Sequence, residues 1–452
     1  MENKHLHKAI VIWTNLCRFL LAGTFLFSGF IKANDPLGTV YKIQDYFEAW
    51  GLFSLNSGLF VYALALGIGI IEFLLGIYLF FGIRRRFAPF ATLILLSLMT
   101  PLTLWLAIDN PISDCGCFGD AVLLTNWETF FKNIGLLIAA ISVFKWSKHQ
   151  FKLVTGKVDW IISLYSTLFI IFFSLFCLRY LPVFDFRLYH LGADIRKGME
   201  IPEGVKLTSY ETIFTYQKGE EKRDFTIDHL PNDTTWKFVD SKTVVKEKGY
   251  EPIIQNFDIT AQDDGSYLTD SILHNNNYTF LLIAPWLHQA DDSGMDLINE
   301  VYDYSVENGY SFYCLTASNE QDIATWQENT GAEYPFAIAD EITLKTMIRS
   351  NPGLMLLRKG VVLNKWSVSN LPDEYQLNAP LDQLTLSQLN QKSTMHKLLE
   401  VFIWFIAPLL VLTLSDLIWL KVRSRQQKKK EKQESKKCII TVMLRNLNKT
   451  YT

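Results

Sequence analysis

The stretch "APFATLILLSLMTPLTLWLAIDNPISDCGCFGDAVLLTNWETFFKNIGLLIAAISVFK" (residues 88–145) decides the fold. It holds two apolar runs, 88–108 and 127–145, joined by a polar turn at 109–126. About 20 helical residues cross the hydrocarbon core of a bilayer, so the stretch reads as a membrane hairpin whose turn lies at one surface. That turn has no Lys or Arg, yet it carries two of the chain's 6 cysteines, Cys115 and Cys117, around a single glycine.

Working outward, four more runs have spanning length: about 10–31, 58–82, 160–181 and 398–420. The first is long, is followed by Lys32 and lacks a small-residue cleavage pattern, so it reads as an anchor and not a leader. Lys and Arg gather in alternate connections: Lys4 and Lys8; Arg84, Arg85 and Arg86; Lys145, Lys148, Lys152 and Lys157; and the tail Lys421, Arg423, Arg425 and Lys428 to Lys430. If these face the cytoplasm, the six spans alternate without conflict. Both termini are then cytoplasmic, and the turn at 109–126 lies outside, as in a bacterial inner membrane. Residues 182–397 also fall outside; they carry 32 Asp/Glu against 18 Lys/Arg and read as a soluble acidic part. The dense basic run of the tail suits anionic headgroups, and nothing in the charge pattern supports nucleic-acid binding.

Cys17 and Cys177 fall within spans, Cys314 within an apolar strand pattern and Cys438 in the tail, where packing suffices. Cys115 and Cys117 lie in a polar, extracytoplasmic turn, where disulfides persist. Three readings stay open. The pair could exchange disulfides, with Gly116 relaxing the backbone of a very small ring. It could be a static bridge. Or it could supply half of a tetrahedral metal shell with Asp114 or Asp120, although no His lies nearby, so no metal is expected.

"CRFLLAGTFLFSGFIKANDP" (17–36), "GIGIIEFLLGIYLFFGIRRR" (67–86) and "DCGCFGD" (114–120) together resemble the DoxX/MauE group of four-helix membrane proteins, and the "CGCFG" loop resembles MauE in particular. The resemblance covers about residues 10–145. It implies a factor for thiol oxidation or maturation of an exported, thiol-containing client. The MauE family is associated with maturing the disulfide-rich small subunit of methylamine dehydrogenase. A quinone cofactor is implied only through the related vitamin K epoxide reductase-like enzymes, whose Cys-x-x-Cys is replaced here by Cys-x-Cys. Two ionisable residues, Arg18 and Glu72, lie inside the spans. Lone charges there are costly and usually pair, so an Arg18–Glu72 ion pair is expected, as a clamp or a proton relay. Lys132, near the outer end of its span, is expected to snorkel.

Within 182–397, residues 200–270 read as short strands with hairpin character at 214–227. "YTFLLIAPWLHQADDSGMDLINEVYDYSVENGYSFYCLTA" (278–317) then reads as strand, loop, helix, strand. Helices around 320–330 and 341–349 flank "YPFAIAD" (334–340), and a hairpin at 351–366 turns at Lys359-Gly360. Alternating strands and helices argue an α/β sheet. The order, with Pro352 before the hairpin, resembles the thioredoxin fold, especially its membrane-tethered TlpA-like branch. Where that family carries Trp-Cys-x-x-Cys, this chain reads Trp286-Leu287-His288-Gln289-Ala290, so this part cannot exchange disulfides itself. Trp286 and Pro352 are its candidate binding residues, and His288 reads as an ordinary loop histidine.

The expected architecture is thus a polytopic α-helical membrane bundle with a four-helix core plus an extracytoplasmic α/β thioredoxin-like domain. The expected division is 1–150 (four spans), 151–181 (fifth span), 182–270 (small β-rich region), 271–395 (thioredoxin-like domain) and 396–452 (sixth span and tail). Two functions compete: a redox maturation factor acting through Cys115 and Cys117, and a non-catalytic scaffold whose cysteine-less domain binds partners. A transporter using Arg18 and Glu72 is disfavoured because repeated broken helices are missing.

Overall fold

The computed structural model describes residues 2–52, 58–112, 114–219, 221–231, 233, 235–247, 249–255, 257–389 and 394–450. They form two compact units, Met1–Phe186 with Gln391–Thr452, and Arg187–Asn390.

The first unit is helical. Among the described residues, 6 helices are long and apolar enough to cross a membrane, and they coincide with the six runs read from the sequence. In chain order the unit comprises α1 (Glu2–Asn34), α2 (Pro36–Ala49), α3 (Leu59–Phe81), α4 (Phe87–Asp109), α5 (Asn126–Lys145), α6 (Asp159–Arg179) and the C-terminal helix Thr394–Thr450. The short α2 was not anticipated. Asp35 caps it by accepting from the Gly38 N–H at 2.8 Å, Pro36 sits in its first turn, and it buries Val40, Ile43 and Phe47 against Val61 and Ala65 of α3.

Helices α1 and α3 approach closely because glycines line their contact. A Cβ on Gly29 would meet the Phe73 backbone nitrogen at 2.4 Å, and one on Gly76 would meet Leu26 Cγ at 2.7 Å. Glu72, one turn before Gly76, therefore faces α1, where Ser28 and Lys32 share a face at i, i+4. A capping box between Thr125 and Glu128 starts α5. Pro408 lies inside the C-terminal helix and cannot donate to the Trp404 carbonyl; the Tyr165 hydroxyl of α6 donates to it instead. Asp416 accepts from both the Thr155 N–H and hydroxyl at 2.7 Å.

The second unit opens with α7 (Ile195–Met199), followed by β1 (Ser209–Lys218), β2 (Glu221–Thr226) and β3 (Lys237–Glu247) in an antiparallel sheet of order β2-β1-β3. The pairing Phe214↔Phe225 is the hairpin expected at 214–227. Next come β4 (Ile259–Ala261), α8 (Thr269–Leu273), β5 (Tyr278–Ile283), α9 (Met295–Glu307), β6 (Ser311–Thr316), α10 (Glu320–Thr330), β7 (Phe336–Ala339), α11 (Glu341–Met347), β8 (Gly353–Arg358) and β9 (Val361–Ser367). These strands form a sheet of order β4-β7-β6-β5-β8-β9. Within it β5, β6 and β7 run parallel, and β8 and β9 return antiparallel as the hairpin read from the sequence. Every residue of β5 is buried, as a central strand covered on both faces requires. Phe280, Leu282 and Cys314 pack there against Ile298, Val301 and Trp326 of the helices. The fold is thioredoxin-like, and the Asn351–Pro352 peptide ahead of β8 is cis.

Candidate functional site

Cys115 and Cys117 are bonded to each other, with Cα atoms 5.5 Å apart, and both residues are half-buried. Gly116 makes the turn at φ +66°, a region that side-chain-bearing residues avoid, and a Cβ there would meet Lys42 Cγ at 2.7 Å. The turn is held along its length. The Asp114 carboxylate accepts from the Gly116 N–H at 2.7 Å and pairs with Lys42 of α2 at 3.2 Å. Tyr46, also on α2, donates its hydroxyl to the Cys115 carbonyl at 3.2 Å. Burial, with Asp114 and Asp45 nearby, pushes the Tyr46 phenol well above its ordinary range, so it remains a donor.

A buried polar cluster grips the other end of the turn. The Cys117 carbonyl accepts from the Ser28 hydroxyl at 2.7 Å and from Lys32 Nζ at 3.2 Å. Lys32 Nζ also donates to Ser28 Oγ at 2.8 Å and to Glu72 Oε2 at 2.7 Å, so the three N–H bonds of the ammonium each find an acceptor. The side chains of Lys32 and Glu72 are only 11% and 8% exposed. Lys132 of α5 places its ammonium 4.2 Å from the centre of the Phe118 ring, just past the pair.

The expected Arg18–Glu72 pair is not formed. Glu72 pairs with Lys32, which the sequence reading had placed beyond the span. The antiparallel register that seats Glu72 against Ser28 brings Gly82, ten residues on, level with Arg18, ten residues back, a shift of about 15 Å. A Cβ on Gly82 would lie 3.2 Å from Arg18 Nη1. The fully buried Arg18 side chain donates to the Phe151 carbonyl at 2.5 Å and lies between the rings of Phe19 and Phe151, at 4.6 and 4.5 Å. Arg18 is thus remote from the cysteine turn. In sequence, a lysine closing an apolar run resembles a flanking charge, and its i, i+4 spacing from Ser28 is the signal that places Lys32 in the cluster. Among the described residues, no group of His, Cys, Asp and Glu could hold a metal.

In the second unit the Trp286 loop closes onto the proline loop. Asn351 donates its side-chain amide to the Trp286 carbonyl at 2.9 Å, and its own carbonyl accepts from the Asp291 N–H at 2.9 Å. Lys345 Nζ lies 4.2 Å from the Trp286 ring centre. Trp286 and Pro352 therefore belong to one loop cluster. The exposed His288 lies 3.6 Å from Asp322. Cys314 is fully buried in β6, and burial pushes its thiol far up, so it is no nucleophile.

A six-span bundle presenting a bonded Cys-Gly-Cys turn, joined to a thioredoxin-like unit, defines a multi-pass membrane protein with a redox-type fold domain. Its membrane part is MauE-like: residues 8–145 match the family model described as methylamine utilisation protein MauE. Residues 210–248, covering β1 to β3, match a domain family of unknown function. No curated protein matches the chain. Four solved chains do, among them the "putative protein disulfide isomerase from Bacteroides thetaiotaomicron", solved in solution. The similarity is 16% identity over 26% of this chain and 77% of that one, with a TM-score of 0.21.

Proposed function

We propose that this protein is a membrane thiol–disulfide factor that passes the Cys115–Cys117 disulfide to thiols of exported proteins. The observation that carries the reading is the bonded, half-exposed pair on a turn anchored to the helical bundle. A client thiolate attacks one sulfur, the internal bond opens, and a second client thiolate releases an oxidised client and a chain dithiol. Alternating Lys and Arg in the connections support cytoplasmic termini and an extracytoplasmic turn, on the oxidising side of a bacterial inner membrane. The thioredoxin-like unit, which has Trp286-Leu287-His288-Gln289-Ala290 in place of a Cys-x-x-Cys pair, holds clients near its Trp286 and Pro352 loops. The proposed domain limits follow the sequence, except that the thioredoxin-like domain takes in β4 and α8, with the four MauE-like spans forming the redox part.

A second reading, a static staple in a scaffold, draws on the tight seating of Gly116 against Lys42 and on the anchored Cys117 carbonyl. Brief mild reduction of intact cells, followed by a membrane-impermeant alkylator, separates the two. A redox factor gives a pair that is reduced, labelled and quickly reoxidised, and Cys115→Ser with Cys117→Ser abolishes client oxidation. A pair inert to mild reductant, or client oxidation that survives both substitutions, overturns the redox reading.

A further inference from the structure

We infer that Cys117 is the sulfur attacked by the incoming thiolate and that Cys115 is the sulfur that leaves, an inference resting on the redox reading above. The two sulfurs are equivalent in sequence but not in structure. The Cys117 N–H donates to Cys115 Sγ at 3.2 Å, while among the described residues no hydrogen bond reaches the Cys117 sulfur. A hydrogen bond strengthens when its acceptor becomes an anion, so it favours the thiolate of Cys115 over that of Cys117. In exchange, the better leaving sulfur is the one more stable as a thiolate.

The surroundings preserve this asymmetry. Asp114, next to Cys115 in the chain, would oppose a thiolate there, but its charge is offset by Lys42 at 3.2 Å and by the Gly116 N–H at 2.7 Å. The Cys115 carbonyl is fixed by Tyr46, and the Cys117 carbonyl by Ser28 and Lys32. Opening the bond therefore leaves the Cys117 N–H beside the departing sulfur, because the backbone on both sides is tied to α1 and α2.

The step balances without an added oxidant. The client thiolate supplies the electron pair of a new bond to Cys117, the Cys115–Cys117 bond breaks, and its pair leaves on Cys115. A second client thiolate then attacks the client sulfur of the mixed disulfide. The client departs oxidised by two electrons, and both cysteines remain reduced. Ser28 and Lys32 act as positioning residues.

The test uses the oxidised full-length protein in lipid nanodiscs, with glutathione as the probe. The reaction is quenched in acid at early times, and the adduct is mapped by mass spectrometry. The expected result is adduct on Cys117 in severalfold excess over Cys115, because the sulfur more stable as a thiolate leaves faster. In parallel, the pH dependence of iodoacetamide alkylation is measured on Cys115→Ser and Cys117→Ser proteins. Lone Cys115 should titrate at lower pH and, below both midpoints, alkylate faster, the larger thiolate fraction outweighing its lower intrinsic nucleophilicity. Adduct on Cys115 or shared equally, or a lone Cys115 that titrates no lower than a lone Cys117, overturns the assignment and leaves the redox reading standing. Absence of adduct at either cysteine overturns both.

Discussion

Glu72→Gln gives the sharpest test of how the cysteine turn is held. The substitution keeps the side chain's size but removes the charge that neutralises Lys32 2.7 Å away, where both side chains are about nine-tenths buried. Removing one partner of a buried pair leaves an uncompensated charge and costs about 3–5 kcal/mol. Here the ammonium keeps two neutral acceptors, Ser28 Oγ and the Cys117 carbonyl, so the lower end, about 3 kcal/mol, applies. Replacing both partners, Lys32→Met with Glu72→Leu, removes the buried charges together and should cost much less than the sum of the two single substitutions. It also releases one of the two donors on the Cys117 carbonyl. The assay is reversible unfolding of the purified protein in mixed micelles of rising SDS content, followed by circular dichroism, as a double-mutant cycle. A Glu72→Gln cost below about 1 kcal/mol, as for an exposed pair, or strictly additive effects, would refute the buried clamp.

Two further outcomes follow from other contacts. Tyr165→Phe strands the Trp404 carbonyl that Pro408 leaves without a partner, and should cost about 1–2 kcal/mol in the same assay; Pro408→Ala, which restores the helix's own donor, should remove most of that cost, and no rescue would disprove the account. Because the folded protein holds the Tyr46 phenol above its unfolded pKa, the stability from this group is fully present below about pH 10 and is lost as pH rises beyond it. Tyr46→Phe should flatten that alkaline decline and cost about 1 kcal/mol at neutral pH, as read from unfolding at pH 7 and pH 11.

Much of this architecture is written in plain periodicities. Spans declare themselves because about 20 apolar residues have few other uses, and the β5 to β9 region shows as buried runs separated by helical patterns. Cys115 and Cys117 stood out because the turn is polar and Gly116 sits between them. Partnerships between spans were harder to read. Apolar runs do not give the register between helices: ten residues, about 15 Å along α1, separate Ser28, which bonds to Glu72, from Arg18. That register is fixed by where Gly29 and Gly76 allow backbones to touch, a property of two helices together. Helix α2 was equally hidden: its apolar positions, Val40, Ile43 and Phe47, are few, and only the α3 surface gives them a place to be buried.

The separation of Cys115 and Cys117 by one residue has a thermodynamic consequence for the fold. Cross-links stabilise folds chiefly by shortening the loops available to the unfolded chain. By that relation a three-residue ring contributes about 1.6 kcal/mol, roughly half the value for a fifteen-residue loop. Opening such a bond removes only that much of what keeps the bundle folded, which is what the proposed exchange would require of it.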